Sequence, residues 1–337
     1  MVAISESRSG GEADARATIV IAAFNAEDTL ERAFTSAIEQ SVPVETIVVD
    51  DASQDSTATL ADRLCRGVPG ARVLRQTQNA GPAAARNRAI DASTAPWIAV
   101  LDADDHMAPD RIARLLDEAE RDEIDLLADD LYRVREDRLQ ATQDRLWSRQ
   151  DFGHIDVSLA EFVTANLHGA RGQRGEMGFI KPLMRRRFLQ DHGLRYAETM
   201  RLGEDYFLYA QALAAGARLR LVDPRGYFAV QRSGSLSAAH RTEDLEALLA
   251  ADQTLLQHPH LARAARRALR RHSMQTRKEW AWRRLIDAVK ARDLAAMGAM
   301  WREPPAVFAS LAGKLGEQAW LRGRHRLGLG TDPRRER

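Results

Sequence analysis

Four short apolar runs, each followed by a segment with helical spacing, govern what the first 125 residues can become. The runs are "ATIVIAA" at 17–23, "TIVVD" at 46–50, "ARVLRQ" at 71–76 and "WIAVLD" at 97–102. After the first, "EDTLERAFTSAIEQS" sets Leu30, Ala33, Phe34, Ala37 and Ile38 on one helical face. After the second, "STATLADRLCR" sets Leu60 and Leu64 on one side. "PAAARNRAIDA" opens on Pro82, which suits a first helical turn, and Pro109 opens a fourth helix. Unbroken apolar strands joined by helices predict an α/β fold, a mostly parallel Rossmann-like sheet with helices on both faces. Ligands of such sheets bind at the carboxyl ends of the strands. Those ends carry "FNAED", "DDASQDS", "QTQNAGPAAARN" and "DADDH", so four polar loops are expected along one edge of the sheet.

The later sequence is less regular. "IDLLADDLYRV" reads as a further strand pair, and "GFIKPLMRRRFLQDHGL" as a strand or turn followed by a short helix. "GEDYFLYAQALAAG" spaces Phe207, Ala210, Leu213 and Ala214 along one helical face, with Gly216 as its C-terminal cap. "ARLRLVDPRGYFAVQRSGSLS" holds one or two strands and a Ser/Gly loop, and the chain beyond 240 is helix-prone throughout. The expected division is a flexible N-terminus over 1–16, an α/β domain over 17–240 with halves 17–125 and 126–240, and a basic helical region over 241–337.

Charge is unevenly distributed. The chain has 337 residues and a net charge of +1, yet residues 241–337 hold 20 Lys and Arg against 11 Asp and Glu, a net of +9. Four of the six tryptophans, Trp280, Trp282, Trp301 and Trp320, lie in that basic third. There they could stack on sugars, sit at a lipid headgroup layer or fill a small helical core. The one cysteine, Cys65, allows no intrachain disulfide, which fits a reducing compartment. Residues 1–16 lack the apolar centre of a secretion signal, and no apolar run reaches the ~20 residues of a membrane span. The expected location is cytoplasmic.

Asp102, Asp104 and Asp105 crowd the end of the fourth strand. A divalent cation would make that crowding favourable: Mg2+ takes one or two carboxylates and completes its shell with phosphate oxygens and water. The alternative is acidity at the start of the next helix, worth ~0.3–1 kcal/mol. A calcium loop fails at His106 and Met107. The first strand-to-helix turn, "AAFNAEDT", has no glycine, which removes the dinucleotide-binding fingerprint.

Taken together, "TIVIAAFNAEDTLERAFTSAIEQS", "TIVVDDASQDST", "NAGPAAARNRAID" and "WIAVLDADD" resemble family 2 of the nucleotide-sugar-dependent glycosyltransferases, which have the GT-A fold. The resemblance covers residues 17–125 and continues more weakly through "GEDYFL" and "GSLS". It implies that Ala22, Ala23, Phe24, Asn25 and Glu27 line a nucleotide pocket, Phe24 replacing a usual tyrosine. A proline usual at Ala22 or Ala23 is missing. Asp51 would bond the base, commonly uracil, while Asn79, Gly81 and Arg86 border the nucleotide and sugar. In the "DADD" segment, Asp102 would face the ribose or sugar with Ala103 beside it. Asp104 would meet Mn2+ or Mg2+, with Asp102 and Asp105 as further metal candidates. Asp205 would be the catalytic base, Glu204 its neighbouring candidate, and Arg232, Ser235 and Ser237 would close over the diphosphate.

The resemblance thus implies an inverting, metal-dependent transferase. It would move a sugar, glucose by first expectation, from a UDP-sugar to a glycan or lipid-linked oligosaccharide in exopolysaccharide or surface polysaccharide synthesis. The tail over 241–337 would then contact the cytoplasmic face of the inner membrane. Two rival readings are a sugar-nucleotide pyrophosphorylase, whose glycine-rich first loop is missing, and a nucleic-acid-binding protein. The latter leaves the four polar loops without a purpose, and no nucleic acid is expected as a partner.

Overall fold

The computed structural model describes residues 14–138, 144–167, 177–231 and 241–326. Strand and helix alternate as the apolar spacing predicts: β1 Ala17–Ala23, α1 Leu30–Ile38, β2 Val44–Asp50, α2 Thr57–Cys65, β3 Ala71–Arg75, α3 Gly81–Ala92 and β4 Trp97–Asp102. These four strands pair in parallel in the order β3-β2-β1-β4. Each strand feeds side chains to both faces. Val20, Ile47 and Val100 enter one core cluster with Ala85 and Ala89 of α3, while Ile19, Val48 and Leu101 enter a second with Phe34 of α1 and Leu60 of α2. Burial on both faces is why β1, β2 and β4 read as apolar runs, whereas the edge strand β3 is only half-buried.

Beyond β4 come β5 His106–Met107, α4 Arg111–Arg121, β6 Leu126–Asp129, β7 Tyr132–Arg135, β8 Asp144–Arg145, β9 His154–Val157, α5 Leu159–Ala165, β10 Leu183–Arg185, α6 Arg186–Asp191, α7 Glu204–Ala214, β11 Leu219–Val222 and β12 Tyr227–Gln231. The main sheet continues as β4-β10-β6-β11-β9, with β10 antiparallel to both of its neighbours. A second sheet runs β5-β12-β7-β8. "IDLLADDLYRV" therefore forms two strands, but they belong to different sheets. Of the face expected for α7, only Ala210 is fully buried, while Phe207, Leu213 and Ala214 are half-buried at the edge of the core. Glu204, Asp205, Tyr206, Leu208, Tyr209, Ala210 and Ala212 are all buried, because α7 is enclosed from more than one side. Gly216 does sit just past its C-terminus, at φ +97°.

The C-terminal region is helical: α8 Thr242–Leu256, α9 Arg263–Ala291, α10 Leu294–Ala299 and α11 Pro305–Arg326. Its first part is built into the body, since Leu255, Ala265, Ala268 and Leu269 share a core cluster with Phe162 and Tyr206. Its second part has a small cluster of its own, with Trp280, Ala281, Met300, Val307 and Leu311. Trp280 thus fills a helical core, whereas Trp301 and Trp320 stand exposed. No helix among the described residues is long and apolar enough to cross a membrane.

Candidate active site

The first three polar loops are laced together. Asn25 adopts φ +48°, and its side-chain carbonyl accepts from Gln54 N at 2.9 Å while its own N–H donates to Ser53 Oγ at 3.0 Å. Glu27 accepts from Ser56 N at 2.9 Å. Asp51 accepts from the backbone N–H groups of Ala80 at 2.9 Å and Gly81 at 2.8 Å, and Asn79 Nδ2 donates to its carbonyl at 3.3 Å. Gly81 holds φ +87°, a conformation that glycine adopts without steric cost. Ala22 and Ala23 end β1, and Phe24 beyond them is 46% exposed, leaving an aromatic face open at the sheet edge.

Deeper in, the end of β4 meets the start of α7. Arg86 Nη2 donates to Asp102 Oδ1 at 2.8 Å, and its Nη1 reaches Glu204 Oε1 at 2.9 Å and Asp205 Oδ1 at 3.3 Å. Lys181 Nζ binds the other oxygen of each aspartate, Asp205 Oδ2 at 2.8 Å and Asp102 Oδ2 at 3.1 Å. Asp102, Arg86, Asp205 and Lys181 thus close a ring, with Glu204 as a branch. All but Asp102 are buried; the Asp102 side chain is 31% exposed. Burial works to raise the Asp102 carboxyl, but Lys181 and Arg86 overcome it and hold the group at about 2. Burial and the Asp205 charge push Glu204 upward.

Further side chains brace this ring. Arg86 lies over the Tyr196 ring at 5.3 Å, and Asn87 holds that tyrosine by Nδ2 to its carbonyl at 2.9 Å. Arg111, wholly buried, pairs with Asp129 at 2.7 Å, donates to the Lys181 carbonyl at 2.7 Å and stacks over Tyr227 at 5.0 Å. Gly203, the N-terminal cap of α7, has φ +84°, and an added Cβ would meet Leu248 of α8 at 3.3 Å. Behind α7, Tyr206 donates to Asp252 at 2.9 Å, and Asp252 also bonds His272 Nδ1 at 2.7 Å. The described part of the tail therefore supports the helix that carries Asp205.

Asp102 and Asp105 turn to different partners. Asp102 is held in the ring. Asp105 turns inward, accepting from Tyr227 OH and Val230 N, each at 2.8 Å. Burial first, then the charges of Asp102 and Asp104, raise its carboxyl well above the usual range. Asp104, after Ala103, lies on the turn between β4 and β5, its backbone carbonyl accepting from Arg32 Nη2 at 2.6 Å. Among the described residues no three His, Cys, Asp or Glu side chains gather as a metal cage. A cation contacting Asp102 or Asp105 as expected would compete with these bonds. One carboxylate completed by donor oxygens and water is a ligand set that Mg2+ accepts.

Of the expected site residues, the structure gathers Asp102, Arg86, Glu204 and Asp205, and Asp51 with Asn79 and Gly81. Arg232, Ser235 and Ser237 lie outside the described residues. Lys181, Arg111, Tyr196 and Tyr227 were not singled out from the sequence. A lone lysine in the apolar run "GFIKPLM" is the one local signal that could have drawn attention to Lys181.

The model of the family described as "Glycosyl transferase family 2" matches residues 18–177. The succinoglycan biosynthesis protein ExoU of Rhizobium meliloti (strain 1021) is 41% identical, covering 89% of this chain and 87% of that protein. ExoO of the same organism, also described as a succinoglycan biosynthesis protein, is 35% identical over 82% of this chain and 78% of its own length. Among solved structures, S. aureus TarS 1–349 in complex with UDP-GlcNAc superposes with a TM-score of 0.63 at 16% identity, covering 85% of this chain and 90% of that one. The Pyrobaculum calidifontis mannosyltransferase PcManGT, in complex with GDP-Man and Mn2+, gives 0.55 at 18% identity, covering 93% of this chain and 83% of that one. These two likenesses establish the shared GT-A-like fold.

Proposed function

The chain belongs to glycosyl transferase family 2 and is a glycosyltransferase, and from that premise we propose that it transfers a sugar from a UDP-sugar to a growing polysaccharide by a single displacement. The observation that carries the reading is the ring of Asp102, Arg86, Asp205 and Lys181, which ties the strand end facing the donor to a carboxylate at a helix start. Phe24, Asn25, Glu27 and Asp51 form the nucleotide side, with Asn79 and Gly81 beside them. Asp205 accepts the proton of the attacking acceptor hydroxyl as that oxygen bonds the anomeric carbon. The nucleoside diphosphate departs from the opposite face, so the anomeric configuration inverts. Asp104 would hold Mn2+ or Mg2+, which when bound neutralises charge on the departing diphosphate. Arg86 and Lys181 fix the orientation of the two aspartates and keep their repulsion low.

The names of the two relatives support exopolysaccharide synthesis as the process, and in this reading the acceptor is a glycan or lipid-linked saccharide. Glucose is the first sugar to test. The reading sets the enzyme in the cytoplasm, with its basic tail toward the inner membrane. A panel of nucleotide sugars, assayed for metal-dependent release of nucleoside diphosphate, tests it. Release from a UDP-sugar with Mn2+ or Mg2+, lost with a chelator, supports the reading. Release unaffected by the chelator removes the metal from it.

A further inference from the structure

Eight large apolar side chains stand exposed among the described residues, and six of them lie between 289 and 320: Val289, Leu294, Trp301, Phe308, Leu315 and Trp320. Of the other two, Phe24 belongs to the nucleotide loops, and Ile38 ends α1. Apolar exposure so concentrated marks a contact surface. It does not arise from an ordinary surface helix. Between Pro305 and Leu321 the only charged residues are Lys314 and Glu317. Val307 and Leu311 turn inward onto Trp280 and Ala281, leaving Phe308 and Leu315 outside. Trp301, 76% exposed, lies with its ring 4.9 Å from that of Phe308.

The neighbouring charge indicates what covers this face. In α9, Arg263, Arg267, Arg270 and Arg271 are exposed on the side opposite the buried Ala265, Leu269 and His272. Further along that same arginine-bearing side, Ala281 and Leu285 join the cluster that receives α11. The arginines and the apolar helix therefore lie on one side of α9. A second copy of the chain would bring two regions of net +9 together, which like-charge repulsion disfavours. An anionic bilayer attracts the same charge and accepts Trp, Phe and Leu side chains at its interface.

We propose that Leu294, Trp301 and the outer side of α11 insert into the interface of an anionic lipid bilayer, with the exposed arginines of α9 on the headgroups. This rests on the reading of the tail as the membrane-facing part, and assigns that contact to one face. The test is flotation of the full-length protein with vesicles of phosphatidylglycerol mixed into phosphatidylcholine, and with phosphatidylcholine alone. The wild type should float with the anionic vesicles and only weakly with the neutral ones. The triple variant Leu294→Glu, Trp301→Glu, Phe308→Glu should lose about tenfold or more of that partitioning. Its thermal unfolding should fall only slightly, since Leu294 and Trp301 are largely solvated and Phe308 gives up mainly its contact with Trp301. The single variant Phe308→Ser gives the same comparison with less disturbance. Triple-variant binding equal to wild type overturns this face while leaving a membrane-bound tail intact. A wild type that ignores both kinds of vesicle overturns the membrane reading itself. A wild-type dimer by light scattering that the triple variant breaks assigns the face to a second copy instead.

Discussion

Lys181 Nζ lies 2.8 Å from Asp205 and 3.1 Å from Asp102, so one buried ammonium joins the start of α7 to the end of β4. Two cations, Lys181 and Arg86, here face three carboxylates, with Glu204 as the third. Replacing Lys181 by Met leaves the two aspartates with Arg86 alone. Breaking a buried ion pair from one side costs about 3–5 kcal/mol, and displacing a reacting group by about 1 Å costs up to about 100-fold in rate. Lys181→Met should therefore lower both the denaturant midpoint and kcat, while UDP affinity changes less. Wild-type stability and turnover in this variant would remove Lys181 from the account.

Asp104→Ala should weaken UDP binding in the presence of Mn2+ and leave the metal-free affinity unchanged. Titration calorimetry with and without Mn2+ separates the two. An equal loss in both conditions would mean that Asp104 acts on the nucleotide directly, without a cation.

A third expectation concerns the opposite edge of the sheet. Glu45 is bonded by Thr18 and by Thr94 N at 3.0 Å, and pairs with Arg72 at 2.6 Å. Burial works to raise its carboxyl, but these partners outweigh it and set the group below its ordinary value. A depressed carboxyl adds stability that is present above its unfolded pKa, about 4.3, and is lost as pH falls through the folded value. Glu45→Gln should thus lower Tm at pH 7, with the difference closing below about pH 4. Sugar transfer at room temperature should not change, because Glu45 lies at the other end of the strands from the site.

Truncation should divide the tail in two. Ending the chain at residue 240 removes Leu255, Ala265, Ala268 and Leu269 from the core shared with Tyr206, and should abolish cooperative unfolding. Ending it after Arg292 removes only α10 and α11, and should keep a folded chain with metal-dependent UDP binding. Cooperative unfolding of the 1–240 chain would contradict the packing of the tail against α7.

What the sequence disclosed follows from which interactions are local. Periodicity within short segments placed β1 to β4 and their helices, because each apolar run reports its own burial. Arg86, Asp102 and Asp205 were legible through ordered motifs shared with a known family. Lys181 was not, since its role exists only where β4, α3 and α7 meet in space. The pairing of β6 and β7 into different sheets is likewise set by distant strands. Adjacency along the chain does not carry the partners within the acid cluster: the turn after β4 sends Asp105 inward to Tyr227, while Asp104 stays on the turn. The apolar spacing of α7 named one fully buried residue, Ala210, because the helix is enclosed on a different side, where Glu204, Asp205, Tyr206 and Tyr209 are buried.

The most direct measurement is a paired assay of Asp205→Asn, comparing sugar transfer from the active UDP-sugar with the calorimetric affinity for UDP and Mn2+. The account expects transfer to fall by at least about 100-fold, the scale of a lost general base, with donor-site affinity close to wild type. Near-normal transfer by Asp205→Asn would contradict it.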